Sequence, residues 1–173
     1  MYKYLFLLCW LVGLTHVGYA QNIKKSFESL TYLSLQGDTV KPLPTKNRIY
    51  ICVGSNSCGL CFFQLEAFLN TLDTSRFELA LLIQSTHTNK YLVQSKNSFI
   101  KKIKTVYHIP ISNDYERDCK EGLFKRINAC GNPAVIIATK NNGLIELIKY
   151  KKVFTNNGDL SLYFKTRITT FLK

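Results

Sequence analysis

Two cysteines separated by two residues, Cys58-Gly59-Leu60-Cys61, carry the clearest chemistry in this sequence. A thiolate at the first position can attack a disulfide. The second thiol, brought round by the turn, can then resolve the mixed intermediate. The expected roles are therefore attack by Cys58 and resolution by Cys61. The chemistry requires Cys58 to sit at a helix start, where unpaired backbone N–H groups and the helix dipole favour the thiolate.

Four other uses of these cysteines fit the sequence less well. A c-type haem site needs His after the second cysteine, where this chain has Phe62. A zinc site needs a second ligand pair, but Cys119 and Cys130 are eleven residues apart and His87 and His108 are isolated. No metal and no bound cofactor is expected. A purely structural Cys58–Cys61 bridge would close too short a loop to restrain the unfolded chain much. A Cys–His protease would need one nucleophile with a partnered imidazole, and the paired cysteines argue against it.

The elements around the motif suit this chemistry. Asn47–Val53 is a continuous β-prone apolar run, fit for a buried strand of a mostly parallel sheet. After Gly54-Ser55-Asn56-Ser57, residues Cys61, Leu65, Phe68, Leu69 and Leu72 recur at helical spacing and form one apolar stripe. Further strands are expected at Phe77–Ile83, Val106–Ile111 and Pro133–Ala138. A weaker helical pattern covers residues 89–104, and a helix is expected over Asp114–Ile127 with Asn113 or Asp114 as its cap. Asn141-Asn142-Gly143 reads as a hairpin turn into a strand over Leu144–Tyr150, and Asp159 would cap a final helix running to Leu172. Ahead of all this, Leu30–Leu35, Gly37-Asp38 and Thr39-Val40 suggest a short hairpin. This order of elements predicts an α/β domain with a mixed central sheet flanked by helices.

The first twenty residues resemble a leader. Lys3 is followed by the mostly apolar Leu5–Val17 and by Gly18-Tyr19-Ala20, so cleavage would leave Gln21 at the start. An uncleaved anchor is the rival, but Thr15 and His16 interrupt the run, which falls short of the ~20 residues a spanning helix needs. The mature chain is then expected to have no transmembrane segment. Lipid attachment at Cys9 does not fit, because Leu8 stands where a small residue is required. The resulting organisation is a signal peptide over 1–20, an N-terminal extension over 21–46 and the principal domain over 47–173.

The chain of 173 residues is 46% hydrophobic, enough for one well-packed domain. Its net charge is +12 and falls by one if Lys3 leaves with the leader. Export argues against nucleic acid as a partner. The lysines read as a solvated basic surface, with attraction to an anionic envelope or an acidic partner as the alternative. Outside the cytoplasm, Cys52, Cys58, Cys61, Cys119 and Cys130 become candidate bridges or redox thiols. Cys119–Cys130 is expected as a structural disulfide, with two free thiols or a second exchange pair as alternatives. Cys52 is expected as a buried small hydrophobe, with a third redox thiol as its alternative. His87 and His108 read as ordinary polar residues.

From about residue 28 onward the chain resembles exported thioredoxin-like proteins of the TlpA/ResA type. The resemblance rests on Leu33-Ser34-Leu35-Gln36-Gly37-Asp38-Thr39-Val40, the strand–CxxC–helix unit, and Gly131-Asn132-Pro133-Ala134-Val135-Ile136-Ile137 followed by Asn141-Asn142-Gly143. It implies a thioredoxin-like fold with a short N-terminal β extension. It further implies a cis Pro133 facing the redox pair, with Asn132 and Pro133 contributing to the substrate groove. The activity implied is thiol–disulfide exchange with partner proteins in the periplasm or cell envelope. Reduction is the favoured direction, with electrons from a membrane thiol donor and a monomer as the working form. The chain departs from the family at Ser57, at Gly59-Leu60, at Gln64, at Glu66 and at Cys52, differences that bear on potential and partner more than on fold. The alternative function is a non-catalytic binding or assembly module of the envelope.

Overall fold

The computed structural model describes residues 21–54, 59–86, 103, 105–112, 119–127, 133–143 and 145–173. Seven strands form one mixed sheet in the order β2-β1-β5-β4-β3-β6-β7. These strands are β1 (Tyr32–Leu33), β2 (Thr39–Val40), β3 (Asn47–Val53), β4 (Phe77–Ser85), β5 (Thr105–Pro110), β6 (Ala134–Ala138) and β7 (Ile145–Ile148). β3, β4 and β5 run parallel, from Asn47 opposite Phe77 and from Ala80 opposite Thr105. The outer pairs are antiparallel: β3 with β6, β6 with β7, β5 with β1, and β1 with β2. The expected N-terminal hairpin is present, and Leu33 pairs with His108 to add it to the sheet as an edge. Gly37, at φ 92°, makes the turn between its strands.

The alternation of side chains along each strand sorts the interior into two layers. Ile49, Ile51 and Val53 of β3 share one face with Leu79, Leu81, Ile83, Val135 and Ile137. Packed on that face are α2 (Gly59–Thr71), α4 (Tyr150–Val153) and α5 (Leu162–Phe171), through Leu65, Leu69, Val153, Phe164 and Ile168. The other face carries Tyr50, Cys52, Ala80, Leu82, Ala134 and Ile136. It is covered by a helical segment at residues 21–28 (α1), through Ile23 and Phe27, and by α3 (Gly122–Arg126), through Leu123 and Phe124. Because the central strands are buried on both faces, they read as continuous apolar runs and not as alternating ones.

Four expectations are corrected or bounded here. Of the helix expected over Asp114–Ile127, only Gly122–Arg126 is helical among the described residues, and residues 113–118 lie outside them. The Glu121 carboxylate accepts from Ser112 N–H and from the Ser112 hydroxyl. Gly122 then turns the chain at φ 64°, where the described helix opens. The strand expected to run to Tyr150 ends at Ile148, and Tyr150 opens a one-turn helix. The last helix begins at Leu162 with Ser161 as its cap, not at Asp159. Leu160 is held in a bridge to Phe154, which delays the helix by a few residues. The helix expected over 89–104 falls outside the described residues, apart from Ile103, which is buried. The Asn141-Asn142 turn forms as expected, with both residues at positive φ (56° and 54°).

Candidate active site

β3 delivers the chain to the motif, and α2 begins at Gly59, directly after Cys58. Cys58 itself lies outside the described residues. Cys61 sits in the first turn of α2 and is 2% exposed, at the head of the buried stripe formed with Leu65 and Leu69. Its Sγ lies 3.4 Å from the hydroxyl of Tyr150, which opens α4 just beyond β7. On the outer side of the same turn, Leu60 and Phe63 are 65% and 69% exposed. The motif helix therefore has a buried thiol on one side and a bare apolar rim on the other.

Pro133 is buried and stands immediately before β6. Cys52 pairs with Ala134, so continuing the register by one residue sets Pro133 opposite Val53, at the end of β3 that leads into the motif. Two segments far apart in sequence thus arrive at one end of the sheet, as the order strand–CxxC–helix–proline–strand requires. Asn132 lies outside the described residues.

The remaining cysteines separate by environment. Cys52 is fully buried on the face opposite Cys61, among Tyr32, Tyr50 and Tyr107. Burial pushes its thiol well above the ordinary range. It is therefore packed as a small hydrophobe, as expected. Cys119 is disulfide-bonded, whereas Cys52 and Cys61 are thiols, so neither is its mate. Cys130 lies outside the described residues. His108 is buried on β5, with Nε2 2.8 Å from the Ser85 carbonyl oxygen, which accounts for it as a structural residue. His87 also lies outside the described residues.

Tyr150 is the site residue that the sequence did not reveal. It is 89 positions from Cys61, and no spacing or motif links the two.

No family model and no curated protein sequence matches the chain. Solved structures do. A putative electron transport protein of Aquifex aeolicus superposes with a TM-score of 0.54 at 14% identity, covering 84% of this chain and 92% of its own. The chain has a thioredoxin-like fold. A secreted Mycobacterium tuberculosis disulfide oxidoreductase homologous to E. coli DsbE gives 0.52 at 10% identity, covering 86% and 96%. The exposed lipoprotein thioredoxin of Streptococcus pneumoniae gives 0.50 at 12%, covering 83% and 96%. In a thioredoxin-like fold, Cys61 and Pro133 stand where β3, α2 and β6 meet. Among the described residues, no helix is long and apolar enough to cross a membrane.

Proposed function

We propose that the protein is an extracytoplasmic thiol–disulfide oxidoreductase that exchanges disulfides with partner proteins through Cys58 and Cys61, acting as a reductase. The observation that carries this reading is the buried Cys61 thiol in the first turn of α2, at the sheet end where Pro133 borders β3. Cys58 thiolate attacks one sulfur of a partner disulfide. A Cys58–partner bond forms, and the partner's other sulfur leaves as a thiolate that takes a proton. Cys61 then loses its proton and attacks Cys58 Sγ. The Cys58–Cys61 bond forms as the mixed disulfide breaks, so the protein gives two electrons and the partner receives them. Asn132 and Pro133 are the residues proposed to bind an extended partner segment, with the exposed Leu60 and Phe63 offering it an apolar rim. The leader-like first twenty residues support export. Re-reduction falls to a thiol donor at the membrane, and Cys130 is the proposed mate of Cys119.

Disulfide reduction assays on Cys58→Ser and Cys61→Ser, with non-reducing gels, test the assignment. Cys61→Ser should attack but not release, accumulating mixed disulfides. Cys58→Ser should lose attack and trap nothing. Wild-type activity in Cys58→Ser would overturn the role given to Cys58, and a wild type that cannot be reduced and reoxidised at all would overturn the reading in favour of a binding module.

A further inference from the structure

The contact between Cys61 and Tyr150 joins a thiol to a phenol, and the two groups respond differently when the thiol ionises. While Cys61 is protonated, either atom can donate across the 3.4 Å separation. Once Cys61 becomes a thiolate, only the phenol O–H can donate, and a hydrogen bond to a charged acceptor is roughly twice as strong as a neutral one. Burial works the other way: Cys61 lies in an apolar cluster with Phe62, Leu65 and Val53, surroundings that disfavour charge. An O–H aimed at the sulfur offsets part of that cost at the moment the charge forms. This is a differential interaction of the kind that accelerates a step.

The phenol is held in place. The Tyr150 ring packs on Phe154 at 5.1 Å, and Phe154 is buried and bridged to Leu160. The single turn of α4 is closed by Phe154 N–H donating to Tyr150 O at 2.9 Å and by Val153 N–H donating to Lys149 O at 3.1 Å. Ser161 N–H donates to Val153 O at 2.9 Å, tying that turn to the start of α5. A phenol fixed this way loses little further freedom when it bonds the sulfur.

We propose that Tyr150 is a positioning residue for the resolving step, its hydroxyl stabilising Cys61 in the reduced and ionised forms. The proposal rests on the exchange activity proposed above. The phenol keeps its own proton throughout. The proton released by Cys61 passes to solvent, the Cys58–Cys61 bond forms, and the Cys58–partner bond breaks with the partner thiolate as leaving group. A disulfide sulfur is a poorer acceptor than a thiolate. The hydroxyl therefore favours the reduced pair and makes the protein less reducing than it would otherwise be.

The test is Tyr150→Phe, which keeps the ring and removes the hydroxyl, measured in the full mature chain equilibrated with reduced and oxidised glutathione. The expected result is an equilibrium constant shifted about fivefold towards the disulfide, a potential about 20 mV more negative at 29.6 mV per tenfold. Release of a partner from the Cys58 mixed disulfide should slow by a similar factor, while alkylation of Cys58 stays within twofold of wild type. If the variant does not fold, site-specific fluorotyrosine at position 150 serves instead. Its more acidic phenol should move the potential the opposite way. A wild type that equilibrates with glutathione beside a Tyr150→Phe variant of unchanged potential and release rate overturns the proposal and leaves the exchange function standing. A wild type that does not equilibrate with glutathione at all overturns both.

Discussion

Gly122→Ala tests how the fold is locked beneath the sheet end that carries the site. Gly122 opens α3 at φ 64°, and a methyl group there would meet the Gln84 side chain, with Cδ at 2.8 Å, and Ile111 Cγ2 at 3.0 Å. The left-handed backbone alone costs an L residue about 1–2 kcal/mol. The Gln84 amide would have to retreat as well. It is buried and its Oε1 accepts from Phe124 N–H at 3.3 Å, so retreat breaks a bond inside the core at about 1–3 kcal/mol. The two contributions give about 3 kcal/mol, or roughly 6–12 °C in melting temperature for a chain of this size. Gly158 provides the control. Its φ is 85°, but nothing lies within 4 Å of the position a methyl would take, so Gly158→Ala should cost only the backbone share, about 1 kcal/mol. Urea titration of both variants, with an unchanged slope, separates the two contributions. Equal losses in the two variants would refute the steric reasoning, leaving conformational strain as the whole effect.

Two further outcomes are expected. Cys52, Tyr32 and Tyr50 are all raised by burial, so each holds its proton more tightly folded than unfolded. Stability from Cys52 is complete below the unfolded thiol's value near ~8.5 and falls by about 1.4 kcal/mol per pH unit above it; urea titrations of wild type and Cys52→Ala at pH 7 and 10 should show the variant's smaller loss. Ser161→Ala should cost about 1 kcal/mol in the same titration at pH 7, because the Ser161 hydroxyl accepts from Phe164 N–H at 3.0 Å and donates to the Lys152 carbonyl oxygen.

The parts of this fold that were legible in the sequence are those governed by local rules. Ile49, Ile51, Leu79 and Leu81 announce buried parallel strands through β-branched and apolar runs. Cys61, Leu65 and Leu69 announce the inner stripe of α2 by their spacing, and all three are buried as that spacing requires. The parts that were not legible are decided by contacts between distant segments. Asp159 and Ser161 are both competent caps. Ser161 is used because Leu160 is already committed to a bridge with Phe154 and the Ser161 hydroxyl also reaches Lys152. Of the helix expected from Asp114, the described residues show Gly122–Arg126, where Glu121 reaches back to Ser112 and Gly122 takes a left-handed conformation at the helix start.

The same division is visible within the single strand β3. Cys52 and Val53 are neighbours in sequence, yet the pleat of β3 sends them to opposite layers: Val53 joins Cys61, and Cys52 joins Tyr32 and Tyr50. Alternation alone dictates that the two residues part company. Which layer receives α2 depends on the direction in which the chain crosses back over the sheet, and that is a property of the whole topology. With α2 on the Val53 face, the tyrosine that ends the β7 hairpin is carried to the same face through α4, and its hydroxyl meets Cys61. The position six before Cys58, polar in the resembled family, is here an apolar-packed thiol facing the other layer. The hydroxyl beside Cys61 comes from Tyr150, 89 positions further along the chain.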